Sequence, residues 1–344
     1  MDLSLNRLNK KEKEILFCLT VIPFALYSIP ELREMFQIND QEQFGFFDTV
    51  HDLSTKGFLL RNNGLYGIKP EQARLIIENN KPNFEDCSAL INPIIAKLEK
   101  SNLDFEKEFT PIYDKLKYLL PMINGHSFHL AQLSYLLSSN LVKYKKYEEA
   151  LKYNQLAVEI SESIDKKHPS IAIFYRNKAL IHKKLGDNNL SIYYSLKDIQ
   201  ILEQNGGKYD DLLPGSYFNL SKTYEDVQNY EKAIEYNLKA IQFEKKRKPE
   251  RYHNLTGLYH NLSYCYMKMN NMRNASLFID KAIESFSSAK MVNKEQYKIL
   301  LRDQRRFKSL YRIEKFILKF KYPLILITSV ILFFIIWNIV SLFV

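Results

Sequence analysis

The sequence predicts a mainly α-helical protein, and three observations support this fold class. Residues repeat with a period of 42, which brings Asn177, Asn219 and Asn261 to one shared position. A fixed period of this length indicates stacked helical units. The 344-residue chain has only 10 glycines and 11 prolines, which disfavours disorder or a sheet-rich fold. Its last stretch, residues 323–344, is apolar and uncharged, as in a helix that spans a membrane.

Each repeat unit is predicted to contain two helices joined by a short turn. In the third unit, the residues from Tyr217 to Tyr224 are amphipathic at helical spacing. Gln228 and Asn229 form the turn, and a second helix follows to about Lys245. An earlier copy, spaced one residue shorter, raises the number of units to four, over residues 126–290.

The repeat resembles the tetratricopeptide repeat, in which an aromatic residue, Leu, a small residue and Tyr precede two alanines. The residues at these positions are Tyr217, Leu220, Ser221, Tyr224, Ala233 and Ala240. The period is longer than the usual 34 residues and is similar to that of kinesin light chains and many bacterial signalling proteins. In the second unit Lys178 replaces the expected Leu, and Ser191 replaces Ala. The resemblance implies a superhelix that binds proteins or peptides in its groove.

Residues 1–80 are predicted to form a separate domain of three helices and a hairpin. A first helix runs from Lys10 to Val21, Ser28 caps a second, and Asp40 caps a third. The turn Asn62-Asn63-Gly64 lies between two apolar runs, which is a strong hairpin signal. This order of elements resembles the winged-helix plan.

The run Leu65-Tyr66-Gly67-Ile68-Lys69-Pro70 is similar to the winged-helix module of STAND-type signalling NTPases, where it packs between domains. DNA binding is not expected, because the third helix is acidic and a helix that lies on phosphates is basic. Its charged residues are Asp40, Glu42, Asp48 and Asp52 against Lys56 and Arg61. The sequence contains no GxxxxGK[ST] motif, so no NTPase is predicted. A helical linker is expected over residues 81–125, with breaks near Pro93, Pro111 and Pro121.

The C-terminal part is predicted to anchor the chain in a membrane. Residues 290–321 hold eleven Lys and Arg against three Asp and Glu, which accounts for +8 of the formal net charge of +10. We assign residues 291–321 to a basic juxtamembrane helix and residues 322–344 to a single transmembrane helix. Positive charge on the N-terminal side places that side in the cytoplasm. Since Met1 to Glu14 is not a signal peptide, we expect a tail-anchored, single-pass protein with cytoplasmic N-terminal domains.

The sequence offers no catalytic set, so we expect that the protein is not an enzyme. The three cysteines are scattered and suit a reducing compartment. His126 and His129 could share a helix face, but no Cys or carboxylate accompanies them at ligand spacing. We therefore expect no metal site and no cofactor.

The resemblance to tetratricopeptide repeats implies which residues contact a ligand. The ligand-contacting positions of that family correspond to a groove made of Arg176, Asn177, Phe218, Asn219, Lys222, His260, Asn261 and Tyr264. The recurring asparagine can hold a peptide backbone with its donor and acceptor together. The alternative is that it satisfies neighbouring helix ends. The further mapped positions are Leu180, Lys183, Lys184, Glu225, Asp226, Met267 and Lys268. Over all of these positions, five Lys and Arg against two acidic residues predict an acidic peptide or a C-terminal carboxylate as the partner.

The predicted function is a membrane-tethered, non-enzymatic scaffold or sensor for a protein or peptide partner. Two other functions stay open: an effector of bacterial anti-phage defence that perturbs the membrane, and a membrane-bound winged-helix transcription regulator. The sequence also leaves homo-oligomerisation open.

Overall fold

The computed structural model describes the backbone of residues 5–22, 24–100, 102–246, 252–289 and 293–340, and the side chains of these residues up to 319. The chain divides into two compact units, Met1–Ile181 and His182–Val344. The division falls near the end of one helix, Ser170–Lys184. Each unit is helix-rich.

The first unit begins with three helices and a small sheet. In chain order the elements are α1 (Lys10–Thr20), β1 (Tyr27–Ser28), α2 (Ile29–Phe36), α3 (Gln43–Thr55), β2 (Leu60–Asn62) and β3 (Leu65–Gly67). The sheet has the order β1-β3-β2, and both pairs are antiparallel. Asn63 and Gly64 adopt φ values of 48° and 78°, the left-handed conformation that an Asn-Gly hairpin turn requires. The hairpin therefore lies where the sequence predicts it, while the winged-helix identity of this domain stays a prediction.

The helix caps of this domain match the sequence prediction at one position and differ at another. Ser28 caps α2 in a capping box with Glu31, as predicted. The prediction that Asp40 caps the third helix is wrong. The Asn39 side chain accepts the backbone N–H groups of Gln41 and Glu42 at 2.9 and 3.0 Å, which tightens the turn before α3. Asp40 instead lies 2.8 Å from the Arg33 guanidinium.

The rest of the first unit consists of helices. They are α4 (Pro70–Asn79), α5 (Ser88–Leu98), α6 (Thr110–Leu119), α7 (Phe128–Lys143), α8 (Tyr147–Ile164) and α9 (Ser170–Lys184). Pro111 lies in the first turn of α6, directly after a π-helical turn at Phe105–Phe109, and Pro121 lies in a short 3₁₀ turn directly after α6, so both lie where the helical geometry changes without a break. The break predicted at Pro93 is wrong, because α5 continues through it. Burial of Leu90, Ile94 and Leu98 on one face of α5 offsets the loss of one backbone hydrogen bond.

The second unit contains the end of α9 and six further helices in the described residues. These are α10 (Asn188–Gln204), α11 (Leu213–Asp226), α12 (Tyr230–Lys246), α13 (Tyr252–Lys268), α14 (Met272–Ser288) and α15 (Lys294–Val340). The tight turns after α11 and α13 place Gln228 and Asn270 at φ values of 60° and 57°. Ser221 and Ala233, both fully buried, allow α11 and α12 to pack closely. The predicted helix pairs are therefore confirmed in this unit.

Helix α15 follows the last pair and packs on α14 through its first turns. Leu300 and Phe307 are buried at 0% and 2% exposure. The Lys308 ammonium lies 3.0 Å from Asp280 of α14, and the Gln304 amide also donates to that carboxylate. The start of the predicted juxtamembrane helix thus covers the end of the repeats.

The predicted anchor, residues 322–344, lies outside the residues whose side chains are described. Within the described residues, none of the helices has the length and apolarity needed to cross a membrane. The predicted domain boundaries near residues 80, 125, 290 and 321 stay predictions.

Candidate interaction groove

A serine–asparagine relay joins three helices in the first unit. The Ser138 hydroxyl on α7 donates to the backbone carbonyl of Ala150 on α8 at 2.7 Å. The side-chain amide of Asn177 on α9 donates to the same hydroxyl at 3.0 Å. Asn177 is only 8% exposed, so its amide links neighbouring helices. The contact goes to a serine side chain within α7 and not to a helix end, which was the alternative left open by the sequence.

The second compact unit repeats this relay two repeats later. Ser221 on α11 donates to the Ala233 carbonyl on α12 at 2.8 Å, and the Asn261 amide on α13 donates to Ser221 at 3.3 Å. The Asn261 side-chain oxygen accepts from the Lys222 ammonium at 3.2 Å. Asn261 is also 8% exposed, so donor and acceptor are both engaged inside the protein.

Asn219 differs from its two counterparts because its side chain is exposed. Asn177 and Asn261 reach a serine that precedes each by 39 and 40 residues. The residue 40 positions before Asn219 is Ala179, which has no hydroxyl to offer. The sequence therefore has no serine 40 positions before Asn219, unlike Asn261. Its predicted role in binding a peptide stays a prediction.

The predicted basic groups of the second unit are paired with carboxylates of the same unit. The Lys222 ammonium lies 2.8 Å from both carboxylate oxygens of Glu225. Lys183 lies 2.8 Å from Asp226. His260 Nε2 lies 3.0 Å from Asp303 on α15. These pairs reduce the positive charge that this part of the groove offers to an acidic ligand.

The remaining predicted groove residues are half-buried. Arg176 lies near the Tyr135 hydroxyl: burial raises the pKa of Tyr135, and the guanidinium offsets part of this rise. The Lys268 ammonium lies 5.4 Å from the ring centre of Tyr264, within cation–π range. Phe218 lines a cavity between α11 and α13.

The cavity beside Phe218 has a volume of about 290 Å³. Its wall is formed by residues of the first halves of α11 and α13 and by one residue of α12: Pro214, Gly215, Phe218, Glu244, His253, Asn254, Gly257 and Leu258. Glu244 is only 2% exposed, and its carboxylate accepts from the Asn254 amide at 2.7 Å. The cavity thus combines apolar walls with one buried carboxylate.

The two histidines considered as metal ligands have other contacts. His126 Nδ1 lies 2.6 Å from the Ser163 hydroxyl, and the His129 ring stacks on Phe84 at 5.2 Å between ring centres. Within the described part of the chain, no group of three His, Cys, Asp or Glu side chains could hold a metal ion.

The sequence analysis did not identify several residues of this region. For two groups of them, the 42-residue spacing could have indicated a shared repeat position. Gly215 and Gly257, which line the cavity, are 42 positions apart. Asp303, the partner of His260, follows Asn261 by the same interval. Glu244 had no such signal, because its burial depends on how α12 packs.

Two segments of the chain match a known family. The tetratricopeptide repeat model matches residues 214–247 and 256–287. These two segments are similar to tetratricopeptide repeats. The matched segments coincide with the pairs α11–α12 and α13–α14, whose first helices line the cavity. No curated protein matches the chain by sequence.

Solved structures of low sequence identity share the fold. BtubC (BKLC) from P. vanneervenii is similar with a TM-score of 0.54 and 17% identity, over 64% of this chain and 87% of that chain. The apo form of RapI is similar with a TM-score of 0.57 and 14% identity, over 81% of this chain and 73% of that chain. A putative kinesin light chain from Podosopora anserina with TPR-like repeats gives a TM-score of 0.46 and 12% identity, over 56% and 91%.

Proposed function

We propose that this protein is a non-enzymatic, membrane-tethered scaffold or sensor that binds a protein or peptide through its tetratricopeptide repeats. The observation that carries the proposal is the pair of matched repeats at residues 214–247 and 256–287. Their first helices leave Phe218 and Asn219 accessible next to a cavity of about 290 Å³. A helical array that buries its own core and leaves such a surface open is suited to binding an extended chain.

The N-terminal domain is proposed to be a winged helix that contacts protein. Support comes from α3, the third helix of the domain, which exposes Phe44 and Phe47 at 75% and 42%. Exposed aromatic side chains favour protein contacts, and the acidic residues Asp48 and Asp52 on the same helix disfavour phosphates.

The membrane tether is proposed from the C-terminal sequence. Ile313, Phe316 and Ile317 on α15 are exposed at 53%, 64% and 57%, directly before the apolar run that begins at Pro323. Exposed apolar side chains interspersed with Lys and Arg suit the interface of a bilayer. The orientation, with the N-terminal domains in the cytoplasm, follows from the same basic residues.

Removing residues 323–344 tests the tether. The full chain is expected to remain in the membrane pellet after washes with high salt and with alkaline carbonate. The truncated chain is expected to be soluble and to unfold at the same temperature as the detergent-solubilised full chain, because the buried contacts of α15 end near Phe307. A full chain that washes off in salt would contradict the tether.

Substitutions in the groove test partner binding. The full chain in detergent is used to capture partners from native membranes and cytosol, and captured proteins are identified by mass spectrometry. Asn219→Ala is expected to weaken binding of the captured partner by about 1–3 kcal/mol, the cost of an unmet polar group. Lys222→Glu is expected to weaken binding of an acidic partner further, and more strongly at low salt.

Glu231→Ala is the matched control for these variants, since Glu231 is an exposed side chain on α12 that lines neither the groove nor the cavity. Its binding should equal that of the wild type. Equal binding by Asn219→Ala at unchanged unfolding temperature would place the ligand elsewhere.

A further inference from the structure

We infer that the exposed part of α15, residues 305–319, binds anionic lipid headgroups through a row of basic side chains. The inference rests on the proposed membrane tether and specifies the class of lipid that this segment recognises. The partner is a bilayer surface that carries negative charge, such as one rich in phosphatidylglycerol.

Five basic residues of this segment lie on one face of α15. They follow one another at spacings of three, four, three and four residues, which bring side chains one above the other in an α-helix. The residues of this basic row are Arg305, Lys308, Arg312, Lys315 and Lys319. At the rise of an α-helix the row is about 20 Å long, so it can contact more than one headgroup.

Three residues of the basic row keep their charge available to a ligand. Arg305, Arg312 and Lys315 are exposed, and none of them forms an ion pair with a described side chain. Lys308 differs, because its ammonium lies 3.0 Å from Asp280. Cations that the protein does not neutralise can form charge-assisted hydrogen bonds to phosphate.

The acidic residue of the segment does not oppose this charge. Residues 305–319 hold six Lys and Arg and one acidic residue, Glu314. Glu314 follows Arg312 by two positions, which correspond to a rotation of about 200° around the helix. It therefore lies on the side of α15 opposite the basic row.

Apolar side chains lie beside the basic row. Ile313, Phe316 and Ile317 share one face of the helix and are exposed at 53%, 64% and 57%. Ile313 directly follows Arg312, and Phe316 directly follows Lys315, so the apolar and basic faces adjoin. A helix at a bilayer surface inserts such apolar side chains among the lipids while its cations contact the headgroups.

A bilayer matches this combination better than a nucleic acid does. A basic row alone would suit the phosphates of either partner. Exposed Ile and Phe side chains gain free energy only where they leave water, as they do between lipids. Each Lys or Arg near an anionic bilayer strengthens binding by a factor of about five. The apolar run that begins at Pro323 also follows the segment directly.

The first turns of α15 hold the segment in place on the repeats. Leu300 and Phe307 are buried, and Asp303 lies 3.0 Å from His260 on α13. The helix continues from these turns through the whole segment. Because the basic row is part of a helix that is already formed and packed, little conformational entropy is lost when it meets a surface.

A fluorescent reporter on the full chain tests the inference. The variant Ser309→Cys, at an exposed position beside the basic row, is labelled with an environment-sensitive fluorophore. Cys18, Cys87 and Cys265 are 0% exposed, so the label attaches at position 309. The protein in non-ionic detergent micelles is titrated with phosphatidylglycerol or phosphatidylcholine. Half of the fluorescence change should occur at a mole fraction of phosphatidylglycerol at least 10-fold below that of phosphatidylcholine, and high salt should reduce the difference.

Paired substitutions locate the interaction. Arg312→Gln together with Lys315→Gln should raise the required mole fraction of phosphatidylglycerol about 25-fold, a factor of about five for each charge. Lys117→Gln together with Arg273→Gln removes the same charges at exposed positions on α6 and α14 and should have no effect. Arg312→Lys together with Lys315→Arg keeps both charges and should respond like the wild type. Circular dichroism checks that each variant unfolds at the temperature of the wild type.

The outcomes separate this inference from the proposed tether. A full chain that resists carbonate but responds equally to the two lipids would overturn the lipid preference and leave the tether intact. A preference for phosphatidylglycerol in a chain that washes off membranes in salt would support the basic row and contradict the tether. An unchanged response of folded Arg312→Gln with Lys315→Gln would overturn the inference. A fluorescence change of the same size with duplex DNA would overturn the assignment to lipid.

Discussion

Helices α11 and α13 carry asparagine at the same repeat position, but in opposite environments. Asn219 on α11 is exposed, whereas Asn261 on α13 is 8% exposed and bonded to Ser221 and Lys222. The difference corresponds to the small residue of the preceding repeat, which is Ala179 in one case and Ser221 in the other. Asn261 therefore links two helices, whereas Asn219 is exposed to solvent, although both occupy the same repeat position.

This comparison shows that a periodic residue need not have a periodic role. Buried polar groups need hydrogen-bond partners. An asparagine that can contact a serine of a neighbouring helix can therefore be buried in the array. Without that serine, the same residue gains nothing from burial and stays in contact with solvent. Three experiments test whether Asn219 and Asn261 have different roles.

The largest difference is expected between Asn261→Ala and Asn219→Ala. Asn261→Ala removes a buried amide and leaves Ser221 and Lys222 without a shared partner, which should lower the free energy of unfolding by about 1–3 kcal/mol. Asn219→Ala should change it by less than about 0.5 kcal/mol, as at other exposed positions. Urea unfolding followed by circular dichroism measures both. Equal losses in the free energy of unfolding would show that Asn219 contributes to stability as much as Asn261, despite its exposure.

A double-mutant cycle isolates the relay itself. Ser221→Ala and Asn261→Ala should be less costly together than the sum of the single changes, with a coupling of about 0.5–3 kcal/mol. The same cycle with Ser138→Ala and Asn177→Ala should give a coupling of similar size. There too an asparagine amide donates to a serine hydroxyl, at 3.0 Å. Additive effects in both units would mean that the hydrogen bond contributes nothing beyond packing.

The smallest effect is expected for Lys222→Met. The Lys222 side chain is 37% exposed, so its contacts with Glu225 and Asn261 are screened by solvent. Stability should fall by about 0.2–1 kcal/mol, and less in high salt. A loss as large as that of Asn261→Ala would indicate that the hydrogen bond from Lys222 to Asn261, rather than the relay through Ser221, holds α13 to α11.

The sequence predicted the helices of the repeats and the hairpin of the N-terminal domain because these depend on local signals. Apolar spacing, an Asn-Gly pair and small residues at a fixed period act within a few positions of the chain. The same reasoning failed at Pro93 and Asp40. A proline break can be offset by burial of the helix face, and Asn39 rather than Asp40 accepts the backbone N–H groups of the turn before α3.

The alignment assigns candidate groove residues to shared repeat positions but does not determine their contacts. The alignment located Phe218, Asn219 and Asn261, and it also contained Gly215 and Gly257. It could not show that Lys222 pairs with Glu225, because an ammonium on a flexible stem can reach several carboxylates. Only packing decides which one it meets.

The sequence alone determined that the chain is mainly helical and built from stacked pairs, since a 42-residue period is a property of the residues themselves. The tertiary structure was needed to show which of the repeated residues are buried and which charged side chains form ion pairs. It was also needed to show that Glu244 lines a cavity. The physical reason is that burial and hydrogen bonding depend on neighbours from other helices. A residue's own position in the repeat does not specify these neighbours.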